Sequence, residues 1–589
     1  MKRNFFVAVI WGVLGLALPD SLPAKSIYVA QTSLGAASGQ DAADAYPLTW
    51  LNSSANWGSG TSQFNPGDTV YLVGTITQQV VVAKSGNPGQ PYTIAFYPGA
   101  NLTSPAWSTT GAINIGANSW VTVDGMGVGV IRNTNNGTSL GLQQASYGIY
   151  AYNGTANGIT IRNLTINNIY VNVAGAEGGS GIGMYIGTSG TNIAVYGCNI
   201  TNAETGVALL YGGMTAQNFQ VYSNSIYGCN HSVTVGSANC AFCMTGIYIH
   251  HNLIDGNYLW DESADNYHHN GIFVYGGCGD NYLTNIYIYN NKIGPMIGVN
   301  NTGHIFVDMQ TALGAINVFV YNNVLWTTNG AVDAPKNGFI VAGGMNCYIF
   351  NNSIEGGNAY GNGIMTGGSN VFLLNNIVRD CSIPVWLNSG TAVTACNSNI
   401  YSYKSLNPVW LGSQISFAQW QAKGLDTRSS TNDPRFMNIS IGDLRLQSNS
   451  PAIGAGMNLS GYFATDFSGN ARPTTGAWDI GACQYASSVL QEPVISNLQY
   501  SSGTNTATIT WTTDVSANSI VNYGPTSAYG MSVTNTAMGL SHSVTLANLA
   551  PATFYNYQVQ SMDSSNRLNA SANQILATTV TGLRVLSSP

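Results

Sequence analysis

The chain contains sequence repeats, and an insertion between two of them spans residues 260–269. Most of the titratable side chains that could take part in catalysis lie in this insertion and in the repeat that follows it. Charged residues make up only 7% of the 589-residue chain, so a local cluster of them is informative. Five of the seven histidines also fall between residues 250 and 304. The candidate catalytic residues are Asp261, Glu262, Asp265, His268, His269, His304 and Asp308.

Two kinds of chemistry fit residues of these types. Two carboxylates that flank a glycosidic bond can act as acid and as base or nucleophile, and Asp308 would pair with one carboxylate of the insertion. Alternatively, a base removes the proton beside a uronate carboxylate, while Ca²⁺ held by acidic side chains neutralises the substrate. The candidate bases are His268, His269, Tyr275 and Lys336. The candidate Ca²⁺ ligands are Asp261, Glu262 and Asp265, and the sequence indicates no other cofactor.

Aromatic residues accompany this cluster and provide candidate substrate contacts. Phe273, Tyr275 and Phe306 alternate with apolar residues, so they would lie on the outer face of a strand, where rings can stack on sugars. Outward aromatic residues are also ordinary on such sheets. The candidate substrate-binding residues are Trp260, Phe273, Tyr275, Phe306 and Lys336.

The catalytic candidates also have purely structural interpretations. Asp261 and its neighbours would then cap a turn or hold a structural Ca²⁺, and Asp308 would bond a neighbouring loop. His250 and His251 lie in a repeated phrase where other copies carry Tyr and Asn, so we interpret them as structural.

A short sequence motif recurs between residues 159 and 378, and the structure that it forms must position these side chains. Apolar residues alternate over three positions, an Asn follows, and another apolar residue comes next. The clearest copies are Ile247–Ile254, Ile286–Ile293, Val318–Leu325, Cys347–Ile354 and Val371–Val378. The alternation predicts a short strand, and the spacing of roughly 24–39 residues predicts stacked coils of a solenoid.

Aligning the copies places asparagines in one column. A buried polar side chain must have its hydrogen bonds met, and stacked amides can bond the backbone and one another. The column contains Asn224, Asn252, Asn291, Asn323, Asn352 and Asn376. This pattern resembles the asparagine ladder of the right-handed parallel β-helix (pectate-lyase-like) superfamily of secreted bacterial carbohydrate-active proteins. The resemblance implies an all-β solenoid over residues 112–400, with chemistry on the outward side chains of one sheet and on its flanking loops.

The remaining segments also have distinct patterns. Residues 25–111 resemble the start of secreted β-helix proteins, which covers the end of the stack and begins the coils. Residues 401–486 resemble a closing segment of such proteins, and Phe417–Gly424 predicts a short helix. Residues 493–579 alternate with the spacing of a β-sandwich, and Tyr555 fits the corner tyrosine of a fibronectin type III domain.

The N-terminus and the charge predict an exported protein. Lys2 and Arg3 precede the apolar run Phe5–Leu18, and a small-residue site near Ala24 follows, so residues 1–24 read as a signal peptide. A retained anchor is the alternative, although the run is shorter than the ~20 residues of a membrane span. A formal net charge of −7 argues against nucleic acid as a partner. We expect a secreted or periplasmic monomer without a membrane span.

Nine cysteines are too sparse to form a disulfide framework in so long a chain. Cys347 takes an inward strand position and is predicted to be a buried thiol. Cys240 and Cys243 form a single CxxC, which we interpret as a local disulfide or packed thiols, because zinc would need two further ligands.

Together these patterns predict a secreted protein that acts on an extracellular polysaccharide. Hydrolysis is slightly favoured over lyase chemistry, because carboxylates outnumber basic groups in the cluster. The alternative is a non-catalytic carbohydrate-binding, adhesion or scaffold protein.

Overall fold

The computed structural model describes residues 24–137, 141–142, 144–152, 154–170, 181–187, 189–210, 215–237, 243–260, 268–276, 282–298, 301–307, 315–328, 337–402, 408–485, 492–563 and 567–579. The chain forms a right-handed parallel β-helix, followed by a closing segment and a C-terminal β domain. The predicted fold class is confirmed.

Each coil of the β-helix contributes to three parallel sheets, and corresponding strands of successive coils pair in register. The first sheet contains Ser26–Ala30, Thr69–Val73, Tyr92–Phe96, Val121–Asp124, Ile159–Arg162, Thr191–Tyr196, Thr215–Tyr222, Cys243–His250, Tyr282–Tyr289, Ala315–Tyr321 and Val393–Asn397. The second sheet contains Thr75–Ile76, Asn101–Ser104, Val130–Asn133, Thr165–Ile169, Asn199–Ala203, Ser225–Tyr227, Leu253–Asp255, Lys292–Ile293, Val324–Trp326 and Ile400–Ser402.

The third sheet carries most of the candidate site. Its strands are Val80–Val81, Ile113–Asn114, Ser146–Tyr152, Gly181–Gly187, Thr205–Leu210, His231–Ser237, His269–Gly276, Asn301–Val307 and Val409–Leu411, with Gln414–Ile415 added antiparallel. Three long strands bend from one sheet into another, and these are Ile340–Phe350, Ser353–Leu374 and Ile377–Leu387. A two-residue strand, Tyr46–Pro47, and the helix Leu48–Leu51 accompany the first coils.

The repeated phrase forms the strands because its apolar residues fill the interior. Ile247 and Ile249 are buried, whereas Tyr248 between them is half-buried on the outside. The same alternation repeats in neighbouring coils, so stacked Ile, Val and Leu side chains form one continuous core along the solenoid.

The predicted asparagine ladder is confirmed. Asn224 donates from Nδ2 to Oδ1 of Asn252 at 3.0 Å, and Asn252 donates likewise to Asn291 at 3.0 Å. The backbone N–H of each asparagine donates to the same acceptor, which satisfies the buried turn. The chain of bonds continues through Asn323, Asn352, Asn376 and Asn399.

Asp426 ends this ladder with a buried carboxylate. Asn399 donates to it at 2.8 Å, and Trp420 donates from Nε1 at 2.7 Å. Tyr401 donates at 3.1 Å, and the hydroxyl of Ser429 also donates. The hydrogen bonds from one asparagine to the next all run toward this end, so an acceptor here complements the aligned donors, while the second hydrogen of Nδ2 donates to a backbone carbonyl of the preceding coil.

The asparagine that precedes each ladder position has a different role. Asn290, Asn322, Asn351 and Asn375 adopt φ between 49° and 58°, the left-handed region that Asn tolerates better than most residues. The first Asn of each Asn-Asn pair therefore makes the turn, and the second joins the ladder.

The closing segment lies along this turn column. Its predicted helix is present as Phe417–Gln421 and begins with a capping box at Ser416. The two-stranded sheet Phe436–Asn438 and Asp443–Leu446 follows. Further on, the buried Arg472 donates to Oδ1 of Asn322 at 3.0 Å, Asn351 donates to the carbonyl of Gly481 at 3.0 Å, and Asn375 accepts from the N–H of Met457 at 2.8 Å.

The C-terminal β domain is antiparallel. Its strands are Ile495–Ser502, Ala507–Gly524, Met531–Leu546, Phe554–Met562, Leu568–Ala570 and Gln574–Ala577. Trp511 and Tyr557 are buried in its separate core. The hydroxyl of Tyr555 accepts a hydrogen bond from the N–H of Ala550 at 2.9 Å, a contact back to the upstream backbone. Membership of the fibronectin type III family stays a prediction.

Six cysteines are free and buried, and Cys347 is among them, as predicted from its inward position. Cys240 lies outside the described residues, so the CxxC interpretation stays a prediction. Among the described residues, no helix has the length and apolar character of a membrane span.

Candidate functional site

Five rings form an aromatic patch on the outer face of the third sheet. Phe273 and Tyr275 are half-buried on one strand, and the buried Ile272 and Val274 alternate with them toward the core. Phe306 occupies the same outward position in the next coil, because it pairs in register with Phe273. The patch consists of His231, His268, Phe273, Tyr275 and Phe306.

The rings of the patch meet at different angles, and Phe273 stacks on Tyr275 at 4.7 Å and 20°. The centroids of Phe273 and Phe306 are 5.4 Å apart with their planes at 59°, and His268 meets Phe273 edge-on at 5.1 Å and 81°. By contrast, Tyr287 and Phe319 on the first sheet stack at 4.8 Å and 2°. In that uninterrupted column Tyr287 is covered on both faces, by Tyr248 and by Phe319, whereas the described rings of the patch are half-buried and present apolar surface on the outside of the sheet.

His268 is held by an amide of the same strand. Its Nδ1 lies 2.8 Å from Oδ1 of Asn270. The amide is oriented by its own donor group, because Nδ2 of Asn270 donates to the carbonyl of Gly303 at 2.9 Å and to the hydroxyl of Thr302 at 3.0 Å. Oδ1 can only accept, so Nδ1 of His268 carries the hydrogen, and the lone pair of the neutral ring is on Nε2. A ring with this tautomer can accept a proton at Nε2.

Burial also affects the phenol of the patch. The pKa of Tyr275 is raised because the surrounding protein disfavours the charged phenolate. Tyr275 therefore stays neutral and can donate or accept a hydrogen bond from a hydroxylated ligand.

Two predicted catalytic histidines are in the interior. Both His269 and His304 are 0% exposed. Nδ1 of His269 lies 3.1 Å from Oδ1 of Asn230, and Nδ1 of His304 lies 3.1 Å from Nδ2 of Asn301. Burial lowers the pKa of His304 to about 3, so its ring is neutral. Both rings were expected among the outward side chains that carry the chemistry, but they are in the interior, where the coil turns.

Trp260 is also inside the protein. It ends a short 3₁₀-helix, Asn257–Trp260, and is 1% exposed. Its Nε1 donates to the carbonyl of Gly228 at 3.1 Å, and its ring lies 5.1 Å from that of Tyr170. The prediction that Trp260 contacts substrate is therefore wrong.

The acidic part of the predicted site lies outside the described residues, and so does the predicted basic group. The roles assigned to these side chains, including Ca²⁺ binding, stay predictions. They are Asp261, Glu262, Asp265, Asp308 and Lys336. The structure thus brings together His268, Phe273, Tyr275 and Phe306 of the predicted set, and it adds His231 and Asn270, which the sequence analysis did not identify.

The third sheet is poor in charge where it is described. Its described outer strand residues from Ser146 to Val307 include no Lys, Arg, Asp or Glu. Between residues 159 and 378 the sequence has three cationic side chains, Arg162, Lys292 and Lys336. Arg162 is paired with Asp124 on the first sheet at 2.7 Å, and Lys292 on the second sheet donates to the carbonyl of Ile441 at 3.3 Å. Neither of these two is available to a polyanion on the third sheet.

No protein-family model matches the chain, and no curated protein matches it in sequence. Among solved structures, the chain is similar to the crystal structure of pectate lyase Pel9A, with 16% identity over 78% of this chain and 96% of that chain and a TM-score of 0.36. A likeness of this size transfers neither reaction nor substrate.

Proposed function

We propose that this protein is exported, binds an extracellular polysaccharide on the outer face of its third sheet, and hydrolyses glycosidic bonds there. Asp308 and one carboxylate among Asp261, Glu262 and Asp265 would serve as the acid and base pair. The observation that carries the proposal is the aromatic patch, whose half-buried rings offer apolar surface to the faces of sugar rings.

The scarcity of cations favours an uncharged polymer and therefore hydrolysis. A polyuronate brings one carboxylate per sugar, and its binding needs basic side chains or Ca²⁺ to offset that charge. Of the three cations in the repeat region, Arg162 is on the first sheet, Lys292 is on the second sheet, and Lys336 lies outside the described residues. A neutral chain needs no such partners.

Lyase chemistry is the second candidate, and the tautomer of His268 favours it. The hydrogen bond to Asn270 leaves the lone pair of the ring on Nε2, as a general base requires. In this case Asp261, Glu262 and Asp265 would hold Ca²⁺ beside the uronate.

Product analysis distinguishes these proposals. The wild-type protein, Asp308→Ala and Phe273→Ala would be incubated with neutral and uronate polysaccharides, with and without a chelator. Tyr227→Ala is the matched control, because Tyr227 is 39% exposed on the second sheet, away from the patch. We expect new reducing ends from a neutral polymer, loss of cleavage in Asp308→Ala, and weaker binding in Phe273→Ala alone.

Other outcomes would contradict the hydrolase proposal in specific ways. Unsaturated, ultraviolet-absorbing products that disappear with chelator would establish the lyase. Binding without cleavage of any polymer, with Phe273→Ala weaker than Tyr227→Ala, would establish a non-catalytic carbohydrate-binding protein. The absence of both binding and cleavage would refute the polysaccharide proposal altogether.

A further inference from the structure

One outward column of the third sheet runs through ten successive coils. Strand register connects each member to the next from Tyr150 to Trp410, and two non-aromatic residues, Asn114 and Val81, continue the column beyond Tyr150. The members are Tyr150, Tyr185, Ala208, Thr234, Phe273, Phe306, Val341, Met365, Trp386 and Trp410. The central aromatic patch therefore belongs to a longer row of side chains.

The aromatic residues of this column occur in pairs at a regular interval. Two aromatic coils alternate with two non-aromatic coils along the whole column. The six aromatic members are all half-buried, whereas Ala208, Thr234 and Val341 in the intervals are buried. At about 4.8 Å per coil, the pairs repeat every ~19 Å and the column spans ~43 Å.

The outer pairs resemble the central pair in exposure and differ in ring arrangement. Trp386 and Trp410 stack with their centroids 4.3 Å apart and their planes at 8°. Tyr150 and Tyr185 lie 5.7 Å apart at 24°, and Tyr147 and Tyr152 flank them. Each outer pair therefore presents two or more half-buried rings on the same face as the central patch.

The first sheet has a column of aromatic rings that differs from this interrupted column, because its stacking is continuous. On the first sheet, Tyr248, Tyr287, Phe319, Tyr348 and Phe372 form an uninterrupted column with centroid separations of 4.5–5.0 Å. The closing segment covers part of it, since Tyr462 packs against Tyr348 and Phe350. Among the described aromatic rings of the interrupted column, the ring contact with the closing segment is the stack of Trp386 on Trp410, and Trp410 is itself a member of the column.

We infer that the Tyr150–Tyr185 pair and the Trp386–Trp410 pair are distal binding sites for the polymer that occupies the central patch. This inference rests on the proposed function and specifies its substrate class as a long, linear, uncharged polysaccharide. The occupant is uncharged because the ten column positions carry no charged side chain. It is long because only a chain of ~43 Å contacts all three pairs at once.

Simultaneous contact with all three pairs should make the affinity depend on the length of the polysaccharide chain. Once the central site is occupied, binding of the same chain at a distal pair is intramolecular and is favoured by a high effective concentration. A short oligosaccharide reaches only one pair and gains nothing from the others. A chain that is held on both sides of the central patch would also be cut at internal bonds rather than at its ends.

The test compares long and short ligands on variants at both ends of the column. The probes are linear glucan, xylan and mannan and their disaccharides, which are shorter than the ~14 Å between the nearest rings of neighbouring pairs, measured by titration calorimetry on the full-length protein. The variants are Trp386→Ala/Trp410→Ala, Tyr150→Ala/Tyr185→Ala, the central Phe273→Ala and the control Tyr227→Ala. Thermal unfolding of each variant establishes that the fold is retained.

We expect both distal double variants to weaken binding of the polymer by about tenfold or more, which corresponds to about 1.4 kcal/mol. Their affinity for the disaccharide at the central site should stay within about twofold of the wild type. Phe273→Ala should weaken both ligands, and Tyr227→Ala should weaken neither. Having variants at opposite ends protects the test against local misfolding at one of them.

Failure of this inference is distinguishable from failure of the proposed function. Folded distal variants that bind polymer like the wild type, while Phe273→Ala does not, would overturn the distal sites and leave the central site intact. Equal loss of polymer and disaccharide binding in folded distal variants would also overturn them. No binding of any polymer by the wild type would overturn the proposed function and the inference with it.

Discussion

Nδ1 of His268 donates to Oδ1 of Asn270 across 2.8 Å, and Asn270 is fixed by the backbone of the next coil. The imidazole thus has a defined tautomer at the edge of the aromatic patch. Whether its Nε2 takes a proton from substrate separates the two candidate mechanisms.

A His268→Gln variant tests this relationship. We expect kcat on a neutral polymer to fall by less than about tenfold, because a hydrolase relies on carboxylates, whereas loss of a general base typically costs about a hundredfold or more. The measurement is the initial rate of reducing-end formation beside an unfolding curve for each protein.

His251→Asn is the matched control for His268→Gln. Other coils carry Asn290, Asn322 and Asn351 at the same left-handed position, so this change should leave both activity and stability intact. A hundredfold loss in His268→Gln alone, without loss of stability, would refute hydrolysis by a carboxylate pair and support a His base.

His250 makes stability depend on pH. It stacks between Tyr222 and Tyr289, and burial and the neighbouring His251 lower its pKa from 6.5 to about 4. As pH falls below 6.5, the unfolded chain binds the proton first, so folding stability decreases until the pH reaches about 4. The buried His304 acts in the same direction.

His250→Tyr should therefore flatten the pH dependence of stability. Tyr occupies this column in the adjacent coils, so the stack is preserved while one titrating group is removed. We expect the variant to match the wild type at pH 8 and to lose less stability at pH 5, as measured by denaturant unfolding. An unchanged slope between these pH values would show that His250 does not contribute to it.

Removal of Asp426, which ends the asparagine ladder, should lower the free energy of unfolding. Asp426 is fully buried and accepts hydrogen bonds from Asn399, Trp420, Tyr401 and Ser429. In Asp426→Ala these donors lose their partner, and each unsatisfied buried group costs about 1–3 kcal/mol. We expect a loss of at least about 3 kcal/mol in the free energy of unfolding.

The cap prediction is checked by chemical denaturation of Asp426→Ala and Asp426→Asn. Asn retains acceptor capacity at one oxygen, so its loss should be smaller than that of Ala. Equal stability of Asp426→Ala and the wild type would mean that the ladder needs no acceptor at its end.

Buried asparagines of the ladder and partly exposed asparagines should differ in how much they contribute to the free energy of unfolding. Asn323 accepts from both nitrogens of Asn291 and donates to Asn352 and to two backbone carbonyls. Asn323→Ala should therefore cost about 3 kcal/mol in the free energy of unfolding.

Asn317→Gly is the comparison for Asn323→Ala. Asn317 lies in a partly exposed column, at a left-handed φ of 59°, and the same column contains Gly246 at φ 70°. Gly adopts this conformation without strain, so we expect a cost below about 1 kcal/mol. Similar losses in the two variants would show that burial of the ladder is not what makes it stabilising.

The sequence predicted the regular strands of the repeats well, and it predicted the corners where the chain turns between sheets poorly. Alternation and the Asn column predicted the strands, the ladder and the outward position of Phe273, Tyr275 and Phe306, because these follow from periodicity 2 and from stacking. His269 and His304 were misplaced, because the coil turns where their strands begin and alternation does not apply there.

Contacts between distant parts of the chain were beyond the local pattern. The 3₁₀-turn that directs Trp260 inward depends on Gly228 and Tyr170, neither of which is near it in sequence. The distal pairs could have been found, since Trp386 and Phe273 share a column once every strand is aligned, but that alignment needs the irregular coils as well as the clear ones. The hydrogen bond from His268 to Asn270 requires a rotamer that spacing does not specify.

The closing segment changes how this solenoid can come apart. In a stack of coils each repeat contacts only its neighbours, so an end can unravel one coil at a time. Here Arg472, Met457 and Gly481 fasten to Asn322, Asn375 and Asn351, which belong to three coils. Before the last coil can unfold, the closing segment must detach from all three coils. When force is applied to the C-terminus of the β-helix, we therefore expect one large unfolding event rather than a series of small ones.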